Sequence, residues 1–170
     1  LDYDANVAAT REVVARAHDA GVWVEAELGE IGGKDGAHAP GVRTDPAEAA
    51  SFVAATGVDA LAVAVGSSHA MRDRSALLDL ELIARLREAV PVPLVLHGSS
   101  GVADDVIAQA VAAGIRKVNV GTALNVAYTA ALRASLAEQP DAVDPRRYTA
   151  TARRAMTELV TGFCRVVAAA

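Results

Sequence analysis

A single cysteine, Cys164, occurs in the 170 residues. One thiol excludes an internal disulfide, and a cytoplasmic chain is the expectation. Basic charge is not in excess: 16 Lys and Arg stand against 21 Asp and Glu, a net charge of -5 at pH 7. Neither nucleic acid nor an anionic membrane therefore has an electrostatic reason to be the main partner. Long hydrophobic runs are missing as well. The apolar stretches are broken by charge well short of the roughly 20 residues that a membrane-spanning helix needs, and no signal-peptide pattern is present. The first residue is Leu1 rather than methionine, a hint that the natural protein begins further upstream. What the chain does have is apolar bulk, 52% against 22% charged residues. That is outside the disordered class and suffices for one core, so residues 1–170 are expected to form one domain or a piece of one.

Two periods alternate along the chain. Residues 6–20 (NVAATREVVARAHDA) read as a helix with Val7, Val14 and Ala17 on one stripe, stopped at Gly21. Residues 22–28 (VWVEAEL) read as a strand whose carboxylates, Glu25 and Glu27, share one face. The glycine-rich residues 29–42 read as a loop, and Asp45-Pro46-Ala47-Glu48 as a helix start running to Gly57. Strands are expected at 60–65, 92–96 and 117–120. Helices are expected after Asp79, over 104–113, and in two stretches around Pro140 to Pro145. Parallel strands covered by helices follow from this alternation of βα units. An open doubly wound sheet and part of a closed barrel both fit it.

Polar residues gather where the strands end. His69 and His97 occupy equivalent points of successive βα units, and strands about 4.8 Å apart can bring both imidazoles to one metal. Catalytic zinc takes three protein ligands and leaves one position open, and Glu27 is the obvious third candidate. His18, on a helix, and His38, in a loop, read as ordinary packing or surface residues, and Trp23 and Cys164 as packing residues. Gly98-Ser99-Ser100-Gly101 ahead of a helix lets backbone N–H groups and hydroxyls converge on an anion. Asn119-Val120-Gly121-Thr122 repeats the arrangement one unit later, and paired small-residue turns of this kind form barrel phosphate sites. Lys34, Asp35, Arg72 and Asp73 are charged loop residues that could meet a substrate.

Four segments in this order and spacing, VEAELGEIGG (24–33), LAVAVGSSH (61–69), LVLHGSSG (94–101) and KVNVGTAL (117–124), resemble the class II ketose-bisphosphate aldolases, especially the tagatose-bisphosphate branch. DPRRY (144–148) is similar to that branch's C-terminal end, and the resemblance covers essentially the whole chain. It implies the C-terminal half of a (β/α)8 TIM barrel, with four parallel βα units plus C-terminal helices. Zn2+ would be held by His69 and His97, with Glu27 a catalytic carboxylate beside it; a monovalent cation is also allowed. Gly98, Ser99, Ser100, Asn119, Val120, Gly121 and Thr122 match the segments that hold the ketose and its phosphate, Asn119 being counted with the catalytic groups. The implied reaction cleaves tagatose or fructose 1,6-bisphosphate to glycerone phosphate and glyceraldehyde 3-phosphate. A homo-oligomer, dimer or tetramer, is implied for the complete enzyme.

The sequence also departs from that pattern. The aspartate–histidine pair that supplies the family's proton donor and first zinc histidine is absent from the 170 residues. The first four βα units thus read as missing, and the chain alone is expected to be inactive. Ala70 stands where relatives have a glycine that contacts phosphate and the monovalent cation. The loop over 29–45 is shorter than in close relatives. It leaves open whether Asp35 replaces the usual acidic loop residue. Two other functions remain compatible with the residues: a non-catalytic phosphate-binding half-barrel, and another zinc lyase or hydrolase.

Overall fold

Helix starts are written into the sequence as acidic caps. Asp2 accepts the Ala5 N–H and opens α1 (Tyr3–Asp19), and Asp45 accepts those of Ala47 and Glu48 to open α2 (Pro46–Thr56). Asp79 accepts the Leu82 N–H to open α3 (Leu80–Ala89). Between and after these lie β1 (Glu25–Leu28), β2 (Ala60–Val63) and β3 (Leu94–Leu96). A 3-10 turn at Ser99–Gly101 leads to α4 (Asp104–Ala113) and β4 (Ile115–Val118), and α5 (Thr122–Glu138) and α6 (Pro145–Ala168) complete the chain.

The computed structural model describes residues 1–29, 42–69, 71 and 73–170. Its four strands form one parallel sheet in the order β1-β2-β3-β4. This is the expected α/β arrangement of four βα units followed by helices. Among the described residues, β1 and β4 pair on one side only. An apolar cleft of about 450 Å³ lies beside β4, lined by Val118, Val120, Leu124, Val160, Phe163 and Cys164 among others. No helix of the described residues is long and apolar enough to cross a membrane.

Alternation along each strand sorts the side chains onto two faces. Leu28, Leu61, Val63, Leu94 and Leu96 join Phe52, Ile83, Leu86 and Ile115 in the core beneath the helices. On the other face Ala60, Ala62 and Val95 form a small separate cluster. Register aligns Glu27, Ala62, Val95 and Lys117 as one row across the four strands of that face.

All four strands differ from the sequence reading at one end or both. Residues 22–24 are not ladder: the Asp59 carboxylate takes the Val24 N–H at 2.7 Å and also holds His18 Nε2 at 2.9 Å. His18 thus has a structural task, fastening the end of α1 to the entry of β2. β2 ends at Val63, two residues early, where the chain turns into the site loop, while β3 begins at Leu94, two residues late, and ends at Leu96 as expected. β4 begins at Ile115, two residues before the expected start, since the register slips between Leu94 and Val95 and leaves Arg116 as the extra residue. Asn119 accordingly lies just past the strand, with its N–H still bonded to the Leu96 carbonyl at 2.9 Å.

Candidate active site

The loops after β2 and β3 meet through a glycine. Gly98 has φ +67, and a Cβ there would sit 2.6 Å from the Ser68 carbonyl oxygen and 2.9 Å from the Ser68 nitrogen. Backbone packed this closely against backbone tolerates only glycine, both for the left-handed conformation and for the space. The consequence is that His69 and His97 come together, their ring centroids 5.7 Å apart at 57°. Gly98→Ala is therefore expected to separate the two imidazoles. It should lower zinc affinity by at least ~10-fold, in addition to the ~1–2 kcal/mol of strain for an L-residue with positive φ. Zinc titration alongside chemical denaturation checks it.

Glu27 completes the group. One ligand atom each from Glu27, His69 and His97 lies within 4.8 Å of the others. Two imidazoles and a carboxylate are donors that suit zinc and other borderline divalent metals. His97 is the hub: Nδ1 is 2.7 Å from Glu27 Oε2, and Nε2 is 3.0 Å from Glu25 Oε1. Glu25 is bonded in turn to Lys117 Nζ at 2.7 Å, and the same ammonium reaches Asn119 Oδ1 at 2.7 Å.

These contacts set the ionisation. The Glu27 bond raises the His97 pKa against the opposing effect of burial, with Glu25 adding to the rise. Burial disfavours the Glu25 carboxylate, but its bonds to Lys117 and His97 together outweigh burial and its pKa is lowered. A raised histidine pKa stabilises the fold below the unfolded value of about 6.5, and that stabilisation is lost as pH rises through the folded value. The lowered Glu25 pKa works in the opposite sense: its contribution is present above the unfolded value and lost as pH falls through the folded one. Zinc-free protein in chelator should thus lose stability on both sides of a mildly acidic optimum, a profile that urea unfolding between pH 4 and 9 would report. Zinc affinity should rise over the upper limb, because the metal displaces the His97 proton.

The turns after β3 and β4 are tied by two serines. Ser99, fully buried, donates its hydroxyl to the Asn119 carbonyl at 2.6 Å, and Ser100 Oγ accepts the Ala123 N–H at 3.0 Å. Gly121 precedes α5 without a side-chain cap, and no acidic residue occupies that helix's first turn. A Cβ at Gly121 would meet nothing within 4 Å. The protein's own packing therefore does not demand a glycine there. Glu27, His69, His97, Gly98, Ser100, Asn119, Val120, Gly121, Thr122 and Asn125 line one cleft of about 490 Å³.

The fructose-bisphosphate aldolase class-II profile matches residues 1–170. The chain belongs to that family. It is similar over 98% of its length to the YdjI aldolase of Escherichia coli, with 36% identity and a TM-score of 0.80. A fructose-1,6-bisphosphate aldolase homologue of Coccidioides immitis, also matched over 98% of the chain, gives 33% identity and a TM-score of 0.85. The fructose-bisphosphate aldolase of Campylobacter jejuni shares the fold over 97% of the chain, at 20% identity and a TM-score of 0.77. The chain spans 57–59% of the length of these relatives, so its four βα units amount to part of the aldolase TIM barrel.

Nearly every residue singled out in the sequence as an aldolase site residue falls on the cleft wall: Glu27, His69, His97, Gly98, Ser100, Asn119, Val120, Gly121 and Thr122. Ser99 differs, since its hydroxyl fastens the Asn119 backbone from behind the wall. Ala70, Lys34, Asp35, His38 and Arg72 lie outside the described residues. Glu25, Lys117 and Asn125 carried no role in the sequence reading. The signal for Glu25 and Lys117 was nonetheless present: each stands two residues before a site residue on its own strand or strand end, hence on the same face.

Proposed function

We propose that this chain supplies the metal, ketose and phosphate side of a class II aldolase that cleaves tagatose or fructose 1,6-bisphosphate to glycerone phosphate and glyceraldehyde 3-phosphate. The observation that carries the proposal is the convergence of Glu27, His69 and His97 on the same cleft wall as two small-residue turns. The donor set fits zinc. Tetrahedral zinc with bonds of about 2.0–2.2 Å spaces its donors about 3.4 Å apart, and the group brackets that value, from 2.7 Å between His97 Nδ1 and Glu27 Oε2 to at most 4.8 Å overall. Bound there, zinc would polarise the ketose carbonyl and stabilise the negative charge left after carbon–carbon cleavage.

The chain's own residues bind and orient. His69 and His97 would hold the metal, with Glu27 the carboxylate beside it that completes the donor group. Asn119 meets the ketose oxygens. The backbone of Gly98 and of residues 120–122, with the Ser100 hydroxyl fixing the start of α5, receives a phosphate at the helix N-terminus. The open space at Gly121 supports this role, because a phosphate approaching the backbone accounts for a glycine that packing leaves unexplained. The outer edge of β4, which pairs on one side only among the described residues and carries the apolar cleft, is where further βα units of a barrel would close.

A non-catalytic phosphate-binding half-barrel is the second reading, favoured by the absence of an aspartate–histidine pair from the 170 residues. The deciding experiment is a coupled assay for triose phosphate release from both bisphosphates, with zinc, by this chain joined to the complementary half of the barrel. Turnover of one epimer over the other assigns the substrate. Zinc and glycerone phosphate binding without turnover of either would favour the second reading.

A further inference from the structure

Behind the cleft, Glu25 and Lys117 form an ion pair that the aldolase reading leaves without a task. They stand on the two outer strands, β1 and β4, separated by three inter-strand spacings of about 4.8 Å each. Their side chains nevertheless meet at 2.7 Å, crossing the inner face where Ala60, Ala62 and Val95 lie between them. Small side chains in that position leave the space for the crossing. Lys117 is 44% exposed and Glu25 20%. An ion pair this open to water adds little to folding stability, so stability does not account for it.

We propose that Glu25 and Lys117 are a positioning pair that orients both His97 and Asn119. This rests on the reading above that His97 holds zinc and Asn119 meets the ketose. A metal-binding imidazole gives one nitrogen to the metal and keeps a proton on the other, and the acceptor facing that other nitrogen decides which is which. On His97, Nδ1 is the nitrogen bonded to Glu27, the carboxylate of the metal group, at 2.7 Å from Oε2, while Nε2 faces Glu25 Oε1 at 3.0 Å. Glu25 therefore holds the proton on Nε2 and frees the Nδ1 lone pair. Lys117 occupies the other Glu25 oxygen, balancing its charge and keeping the carboxylate turned to the ring.

The same ammonium determines the direction of the Asn119 amide. A lysine ammonium has donors only, so the amide oxygen must be the atom 2.7 Å from Nζ. The amino end is then left for the cleft that Asn119 lines, where it can donate to a ketose oxygen.

The test is zinc affinity of the chain joined to the complementary half of the barrel, at one pH, by competition with a chromophoric chelator, for wild type, Glu25→Gln, Lys117→Met, Lys117→Arg and the Glu25→Gln/Lys117→Met double variant. Loss of a carboxylate behind a ligating histidine typically costs ~10–100-fold in metal affinity. That drop is expected for Glu25→Gln, with a smaller one for Lys117→Met, recovery in Lys117→Arg, and a double variant no weaker than Glu25→Gln alone. Imidazole ¹⁵N NMR of the zinc-loaded wild type supplies a readout independent of any variant's folding: His97 should carry its proton on Nε2 and zinc on Nδ1. Zinc on Nε2, or unchanged affinity in Glu25→Gln, would overturn the positioning role. Failure of the wild-type chain to bind zinc even when joined to the complementary half of the barrel would instead sink the aldolase reading itself.

Discussion

In the complete enzyme His97→Ala is expected to abolish tight zinc binding, and His69→Ala to do the same. Both imidazoles belong to a group whose ligand atoms lie within 4.8 Å of one another, and removing one leaves two donors where a catalytic zinc needs three. The loss should exceed the ~10–100-fold typical of residues one step removed from a metal. His97 should be the more damaging site, because its ring also separates the Glu25 and Glu27 carboxylates. Without the ring, two acids face each other across an empty space while the Lys117 ammonium is bonded to Glu25 alone of the two. Zinc content by elemental analysis after dialysis against metal-free buffer measures this directly. Equal content in wild type and His97→Ala would refute the assignment of the site.

The second large effect concerns catalysis. The 170-residue chain alone is expected to show no aldol cleavage above background, and to gain it on combination with the complementary half of the barrel. Relatives are longer, the chain covering 57–59% of their length. The aspartate–histidine pair that the family uses as proton donor and zinc ligand does not occur in these residues. General acid–base assistance contributes typically ~10²–10⁴-fold. Loss of a metal ligand weakens electrophilic stabilisation of the same transition state, so the two deficits act on one barrier. Affinity for glycerone phosphate should survive better, since both small-residue turns lie within the chain. Triose phosphate release by the chain alone, well above a no-enzyme control, would show that a residue present here replaces the missing acid.

Much of this was legible because the fold's signals are local. Helix starts at Asp45 and Asp79 depend on a side chain reaching the backbone two or three residues on. The alternation in residues 24–28 puts both carboxylates on one face, and the continuous apolar run over 60–65 reports a strand buried on both faces. His69 and His97 could be paired because each follows a strand of the same parallel sheet, and parallel order alone puts such positions side by side. Resemblance in four spaced segments then chose the barrel over the open sheet, a choice that periodicity could not make.

What only the tertiary structure decided lies across the sheet rather than along it. The start of β4 moved because one residue, Arg116, is extra in its pairing with β3, and a slip of register leaves no trace in an alternating pattern. Ser99 and Ser100 look alike in sequence, yet one hydroxyl is spent on the Asn119 carbonyl and the other on the start of α5. Glu25 and Glu27 likewise share a face, but only Glu27 lines the cleft, while Glu25 is drawn across the inner face to Lys117, 92 residues away. Sequence periodicity determines which face a side chain takes. Which partner it finds there depends on the curvature and register of the whole sheet, and those are set by contacts far apart in the chain.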